Sequence, residues 1–110
     1  MKNSDLIALA KQFGSPVYVY DTSVISAQYK KLKTAFKKVK NIKINYAVKA
    51  LSNISILAFL KELGSGLDTV SIQEVELGIK AGFSPDKIIF TPNGVSLEEI
   101  EHAAKKGVKI

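Results

Sequence analysis

The sequence has no cysteine, no arginine and no long run of apolar residues. Without cysteine, these 110 residues hold no disulfide, no thiolate metal site and no cysteine nucleophile, which fits a reducing compartment. Apolar runs stay well short of the roughly 18 to 20 residues that a membrane-spanning helix needs. The segment that begins at Met1 is amphipathic and lacks the apolar centre of a signal peptide. We therefore expect a cytoplasmic protein without a membrane partner.

Acidic residues are absent between Asp21 and Glu62, and this stretch holds much of the positive charge. All 16 basic residues are lysines, and the formal net charge is +6. Seven lysines fall within fourteen residues: Lys30, Lys31, Lys33, Lys37, Lys38, Lys40 and Lys43. Such a patch is compatible with a non-catalytic α/β module that binds polyanions through its lysine-rich helix. Bidentate contacts to bases or phosphates need arginine, however, and no aromatic residue is arranged to stack on bases, so we expect a solvated helix face and no nucleic-acid partner.

The first part of the chain has the pattern of a strand followed by a helix. Pro16 to Tyr20 alternates and is rich in β-branched and aromatic residues, which predicts a short strand. From Thr22 to Val39 apolar residues recur at spacings of three and four, which predicts an amphipathic helix whose start Asp21, Thr22 or Ser23 can cap. With 46% hydrophobic and 24% charged residues, the composition is that of a folded globular protein.

From residue 43 onward, a unit of one strand and one helix repeats. Predicted strands begin at residues 43, 67, 87 and 108. Ser52 begins the first helix of this series, and two capping boxes, Ser71 to Glu74 and Ser96 to Glu99, begin the next two. A glycine follows each helix, at positions 64, 82 and 107. Alternating strands and helices predict parallel strands that are joined by right-handed crossovers.

Two architectures contain such units, the open doubly wound sheet and the (β/α)8 barrel. No predicted strand is followed by a glycine-rich phosphate loop, which favours the barrel. Gly64-Ser-Gly66 precedes a strand, whereas ligands of parallel sheets bind beyond the carboxyl ends, so these glycines predict a helix stop and a turn. A barrel needs roughly 200 to 250 residues, and this sequence stops inside a predicted strand. We therefore expect an α/β fold that is the N-terminal portion of a (β/α)8 TIM-type barrel.

Lys49 places a charge at the carboxyl end of the predicted strand from Lys43 to Val48. Side chains alternate along a strand, so Asn45, Ala47 and Lys49 share one face while the apolar residues face the helices. Alternation also turns Asp68 of the next strand inward, which would place a carboxylate beside Lys49. A small Ala47 next to the lysine leaves room for a ligand. A lysine that reaches into water, a structural ion pair and a reactive amine that attacks a carbonyl carbon all fit this pattern.

The sequence from Gly14 to the C-terminus resembles the N-terminal part of the fold-type III pyridoxal-phosphate decarboxylases. The matching stretches occur in the family's order and at its spacing: GSPVYVYD (14–21), YAVKA (46–50), LGSGLDTVSIQEVELGIKAG (63–82), KIIFTPNGVSLEEIEHA (87–103) and KKGVKI (105–110). Within the family, the enzymes that act on diaminopimelate are the most similar. Three sites depart from the family's pattern: Leu51, Ile72-Gln73 and Val95 stand where asparagine, two glycines and lysine are common.

The resemblance implies an alanine racemase-like barrel over residues 22–110, and it assigns residues 1–21 to an N-terminal helix and a short strand associated with a separate β-domain. It implies that Lys49 is the catalytic lysine that binds pyridoxal 5'-phosphate covalently. By the same resemblance, Asp68 lies near that amine and Ala47 lines the cofactor pocket. The implied reaction is decarboxylation of meso-diaminopimelate to L-lysine, with a small amino acid as substrate and a homodimer as the assembled state.

Several alternatives stay open at this stage. Ornithine and arginine decarboxylases and other pyridoxal-phosphate barrel proteins share the lysine motif, and an inactive relative that acts as a binding partner is a further possibility. By the resemblance, the phosphate-binding glycine loop, the acid facing the pyridine nitrogen, the substrate arginines and a cysteine shared across the dimer lie beyond Ile110. We therefore expect residues 1–110 alone to be inactive. His102 is predicted to be a surface residue, and Asn93-Gly94 a turn.

Overall fold

Residues 1–35 and 36–110 form two separate units of the computed structural model, which describes the whole chain. The first unit consists of helix α1 (Asn3–Phe13), an extended segment and helix α2 (Thr22–Ala35). Neither helix buries a single residue. None of the helices of the chain combines the length and the apolar character needed to cross a membrane.

Asp21 is the residue that caps α2. Its carboxylate accepts a hydrogen bond from the backbone N–H of Ser23 at 2.9 Å and lies 3.3 Å from the terminal amine of Met1. The hydroxyl and the backbone N–H of Ser23 lower the pKa of Asp21 to about 2. Asp21, Thr22 and Ser23 were the candidate caps in the sequence, and Asp21 is the one that caps the helix.

Two predictions for this part of the chain are wrong. The segment from Pro16 to Tyr20 is not a strand in this structure, because no other strand is hydrogen-bonded to it, and alternation alone does not supply a partner. The second helix ends at Ala35 instead of Val39, and turns follow it up to Asn41, which has a φ of 58°. Beyond Ala35 the backbone forms turns, one of them closed by a hydrogen bond from the N–H of Val39 to the carbonyl oxygen of Phe36 at 2.9 Å, so the apolar spacing continues past the end of the helix.

The second unit is a three-stranded parallel sheet with three helices. Its elements are β1 (Asn45–Ala47), α3 (Ile54–Glu62), β2 (Gly66–Thr69), α4 (Ile72–Lys80), β3 (Ile88–Phe90) and α5 (Leu97–Lys105), with short 3₁₀ turns at Val48–Ala50 and Pro85–Lys87. The strands lie in the order β1-β2-β3. Ala47 pairs with Asp68, and Asp68 pairs with Ile89. The predicted fourth strand is present as a single parallel bridge between Ile89 and Lys109. The predicted α/β fold with parallel strands is confirmed.

One hydrophobic cluster joins the helices to one face of the sheet. Its buried members are Val48, Leu57, Leu67, Val75, Ala81, Phe83, Ile88, Phe90, Ala103 and Val108. Helix α4 packs directly on the sheet at Gly78, where an added Cβ would lie 2.6 Å from Leu67 Cδ1 and 3.2 Å from Ile88 Cδ1. By strand alternation, the opposite face carries Asn45, Ala47 and Asp68, none of which belongs to the cluster.

Short-range hydrogen bonds fix where each helix begins. Ser96 and Glu99 form the predicted capping box, with N–H to side-chain distances of 3.1 and 3.3 Å. At α4 the hydroxyl of Ser71 accepts from the N–H of Glu74 as predicted, but the Glu74 carboxylate accepts from the N–H of Val70 at 2.8 Å. This helix is therefore tied to the residue that follows β2.

Helix α3 begins at Ile54, two residues later than the predicted start at Ser52, and Asn53 is its cap. Asn53 Oδ1 accepts from the N–H groups of Ser55 and Ile56 at 3.0 and 3.2 Å. An amide oxygen reaches two orphan N–H groups of the first turn here, which is the usual mode of N-terminal capping.

Replacing Asn53 with alanine is expected to lower the free energy of unfolding of the complete protein by about 1 kcal/mol, because two N–H groups of α3 lose their acceptor. Ser52→Ala is the matched control, since Ser52 is exposed and caps nothing. Urea unfolding of both variants measures the difference. A larger loss for Ser52→Ala than for Asn53→Ala would contradict the assignment of the cap.

Candidate active site

Lys49 lies in a 3₁₀ turn directly after the carboxyl end of β1. The strand ends at Ala47, and the turn is closed by a hydrogen bond from the N–H of Leu51 to the carbonyl oxygen of Val48 at 3.0 Å. Val48 is fully buried in the core cluster and anchors this turn, while Lys49 is exposed. The predicted strand therefore stops two residues before Lys49, and the turn places its side chain.

The amine of Lys49 has no acidic partner. No carboxylate oxygen lies within 4.0 Å of its Nζ, whereas five other ion pairs are present in the chain. The ion pair with Asp68 that the sequence left open is not formed. An amine without a carboxylate contact is available to a ligand.

Ala47 and Asp68 lie side by side on the sheet face opposite the helices. They pair in register on β1 and β2, and both are half-buried. Their neighbour on β3 is Ile89. Among these three paired residues, Asp68 is the acidic one. Its neighbours are the methyl group of Ala47 on β1 and the apolar side chain of Ile89 on β3.

Thr91 is a residue of this face that sequence reasoning missed. Its hydroxyl donates to Asp68 Oδ1 at 2.7 Å. Its backbone N–H donates to the carbonyl oxygen of Thr69 at 2.8 Å, so the ladder between β2 and β3 continues one residue past β3. Strand alternation could have identified this residue. Ile89 pairs with Asp68, and Thr91 is two residues after Ile89, so Thr91 lies on the same face as Asp68.

A second polar cluster lies between α4 and α5, in the helical layer. Glu76 Oε1 lies 3.0 Å from His102 Nε2 and 3.0 Å from Lys106 Nζ. Hydrogen bonds from Lys106 and His102 hold the pKa of Glu76 below its usual value. Two shallow grooves of about 360 and 430 Å³ flank this cluster, and neither is lined by Lys49, Ala47 or Asp68. His102 is on the surface, as predicted.

The lysine-rich segment does not form one helical face. Lys30, Lys31 and Lys33 belong to α2, which ends at Ala35, while the other four lysines of the run follow in turns and in the approach to β1. All seven are exposed. The regular basic helix on which the polyanion-binding alternative depended is therefore only partly present.

Comparison with known proteins places the chain among decarboxylases. Residues 22–110 match the family described as "Pyridoxal-dependent decarboxylase, pyridoxal binding domain". The diaminopimelate decarboxylase of Methanothermobacter thermautotrophicus is 38% identical over 108 residues, which are 97% of this chain and 25% of that protein. The diaminopimelate decarboxylase of Helicobacter pylori strain J99 is 45% identical over 100 residues, 91% of this chain and 24% of that protein.

Solved structures show the same fold. The diaminopimelate decarboxylase of Helicobacter pylori complexed with L-lysine superposes with a TM-score of 0.86 at 41% identity and covers 94% of this chain and 26% of its own. The lysine/ornithine decarboxylase of Vibrio vulnificus complexed with putrescine gives a TM-score of 0.86 at 30% identity, with 96% and 28% covered.

The chain spans about a quarter of the length of the curated relatives that it matches. The family match covers its sheet, all of its strand-helix units and the lysine beyond β1. On this evidence the chain belongs to the pyridoxal-dependent decarboxylases, and residues 22–110 are part of the family's pyridoxal-binding domain.

Proposed function

We propose that the complete protein decarboxylates meso-diaminopimelate to L-lysine, and that Lys49 binds pyridoxal 5'-phosphate covalently through Nζ. The observation that carries this proposal is the position of Lys49: an exposed amine, free of carboxylates, directly beyond the carboxyl end of a parallel strand. Active sites of parallel α/β proteins gather at that edge of the sheet.

The residues around Lys49 fit this cofactor. A lysine amine forms a covalent bond with an aldehyde carbon, and no carboxylate contacts the Lys49 amine in this chain. Ala47 leaves space on the face below, and Asp68 offers a carboxylate on the neighbouring strand. When bound, pyridoxal phosphate supplies a ring that accepts the electron pair released as the α-carboxyl group leaves as CO₂.

In this proposal Lys49 has a second role, which is to transfer a proton. Whenever it is not bound to the cofactor, the Lys49 amine would be able to accept or donate a proton. A flexible four-carbon side chain anchored by the turn at Val48–Ala50 can bring that proton to the substrate's α-carbon. Lys49 is therefore proposed both to bind the cofactor and to act as the general acid.

We further propose that the sheet is the first part of a (β/α)8 barrel. The strands follow one another in space in chain order, with no reversal, and α3, α4 and α5 share one core on one face. Doubly wound sheets reverse their strand order and carry helices on both faces. Sequential order with helices outside is the arrangement of barrels.

The choice of substrate rests on the relatives. Curated relatives at 38 to 45% identity are named diaminopimelate decarboxylases, and a lysine/ornithine decarboxylase structure at 30% identity has the same fold. Ornithine or arginine is the alternative substrate. The homodimer remains a prediction from the resemblance, and the cytoplasmic location remains a prediction from the sequence.

Reduction of the complete, cofactor-loaded protein with borohydride is expected to fix the cofactor on Lys49. Borohydride reduces the carbon–nitrogen double bond between a lysine amine and an aldehyde to a stable single bond. Peptide mapping by mass spectrometry then identifies the modified lysine. The seven-lysine run serves as an internal control, since exposed lysines near Lys43 report non-specific labelling. Stoichiometric labelling at any lysine other than Lys49 would refute the proposal.

A further inference from the structure

We propose that Thr91 is a positioning residue that holds the Asp68 carboxylate in place for the cofactor-binding lysine. This inference rests on the proposed function, because it assigns Thr91 a role toward the group that Lys49 binds. The observation is the hydrogen bond from the Thr91 hydroxyl to Asp68 Oδ1 at 2.7 Å, across two neighbouring strands on the face that carries Ala47.

The donor itself is rigidly held. The backbone N–H of Thr91 donates to Thr69 at 2.8 Å, and the preceding N–H, that of Phe90, donates to the carbonyl oxygen of Lys109 at 2.6 Å. Phe90 is fully buried. Thr91 also has the branched Cβ that restricts χ1, so its hydroxyl occupies few positions. Its backbone is therefore fixed by β2, and the residue before it is fixed by the core and by the segment at Lys109.

Asp68, in contrast, depends on this one donor. No other hydrogen bond and no ion pair to its carboxylate is present in the structure, and its register neighbours Ala47 and Ile89 offer only apolar side chains. A hydrogen bond of 2.7 Å to a charged oxygen belongs to the stronger class. Loss of the Thr91 hydroxyl would free the carboxylate to turn about both of its side-chain bonds.

The hydrogen bond from Thr91 also determines the direction in which the Asp68 carboxylate points. Asp68 lies between β1, which leads to Lys49, and β3, which leads to Thr91. A bond on the β3 side keeps Oδ1 away from the lysine, and Oδ2 remains without a partner. The carboxylate is therefore held on the β3 side, and no ion pair between Asp68 and Lys49 is formed. Without Thr91, we expect such a pair to compete with the cofactor for the amine.

Substitution of Thr91 in the complete protein tests this inference. Thr91→Val keeps the branched shape and removes the hydroxyl, and we expect it to weaken pyridoxal phosphate binding roughly tenfold, the lower end of the effect that losing the hydrogen-bond partner of a ligand has at metal sites. Thr91→Ser keeps the hydroxyl and should restore wild-type affinity. The dissociation constant is measured by titrating the cofactor-free protein and following cofactor absorbance, independently of turnover.

Thr69→Val is the matched control. Like Thr91→Val, this variant removes a threonine hydroxyl, in this case one on β2. The Thr69 hydroxyl is buried on the side of the sheet that faces the helices, where it donates to the carbonyl oxygen of Ile89 at 2.9 Å. We expect this variant to lose thermal stability and to keep its cofactor affinity. Equal weakening in Thr91→Val and Thr69→Val would overturn the inference, because it would show a general effect on the sheet.

The remaining outcomes separate this inference from the proposed function. Wild-type affinity in Thr91→Val, or failure of Thr91→Ser to restore binding, would overturn the role of Thr91 while Lys49 labelling stands. Absence of reducible cofactor on Lys49 in the wild-type protein would overturn both. If Thr91→Val does not fold, Thr91→Ala compared with Thr91→Ser gives the same contrast between a missing and a retained hydroxyl.

Discussion

Lys49→Ala in the complete protein is expected to reduce the formation of L-lysine from meso-diaminopimelate by about 10³-fold or more. General acid–base catalysis alone contributes roughly 10² to 10⁴-fold, and this variant also loses the covalent attachment of the cofactor. The loss should appear in kcat, because the side chain is proposed to act in the reaction as well as in binding. Steady-state assay of lysine formation, with added pyridoxal phosphate at saturation, measures it.

The chain offers a matched control for this variant on the other side of β1. Lys43 precedes β1 and is exposed, while Lys49 follows β1 and is exposed. Lys43→Ala removes one positive charge at the opposite edge of the sheet and should leave turnover within about twofold, since surface substitutions away from special contacts have small effects. Parallel assays with ornithine and arginine identify the substrate. Turnover of Lys49→Ala near the wild-type rate would exclude Lys49 as the catalytic lysine.

Leu67→Ala is expected to lower the free energy of unfolding by about 2 to 5 kcal/mol, the range for deleting a large side chain from a packed core. Leu67 is fully buried on the central strand β2, where it contacts α4 at Gly78. Strands on both sides limit how far the backbone can move to fill the cavity. Since stabilities of 5 to 15 kcal/mol are typical, the loss would be a large share of the total.

Leu97→Ala makes the same chemical change at an exposed site and serves as control. Leu97 is the first residue of α5 and is 70% exposed. Its replacement should change stability by no more than about 0.5 kcal/mol. Denaturation curves of the two variants under one set of conditions give the difference. A similar loss in both would mean that Leu67 is not part of a tightly packed core in the complete protein.

The repeated units were predictable because several local signals agreed in each of them. Around α4, a serine cap, a glycine stop after Ala81 and apolar strands on either side all pointed to the same element. Strand alternation also separated Leu67 and Thr69, which are buried, from Asp68, which is not. In this region local preference and tertiary packing agree, so the strands and helices could be predicted from the sequence.

The errors have a common physical origin, which is that a local pattern does not specify a partner. Residues 16–20 have the alternation of a strand, but no other strand pairs with them. The predicted strand ran to Val48, directly before Lys49, whereas β1 ends at Ala47 and the hydrogen bond from the N–H of Leu51 to the carbonyl oxygen of Val48 closes a turn there. The contact between Thr91 and Asp68 joins different units, so it follows only once the register of β2 and β3 is known.

Register in this sheet also bears on the order in which the chain folds. Each strand pairs with the next strand along the chain, Asn45 with Gly66, Leu67 with Ile88 and Ile89 with Lys109. Every pairing therefore closes a loop of roughly 20 residues, whose entropic cost is small and nearly the same at each step. Equal loop closures favour stepwise assembly from the first unit onward, in the direction of synthesis. On this view Lys49 would be in position beside β2 while later parts of the protein were still being translated.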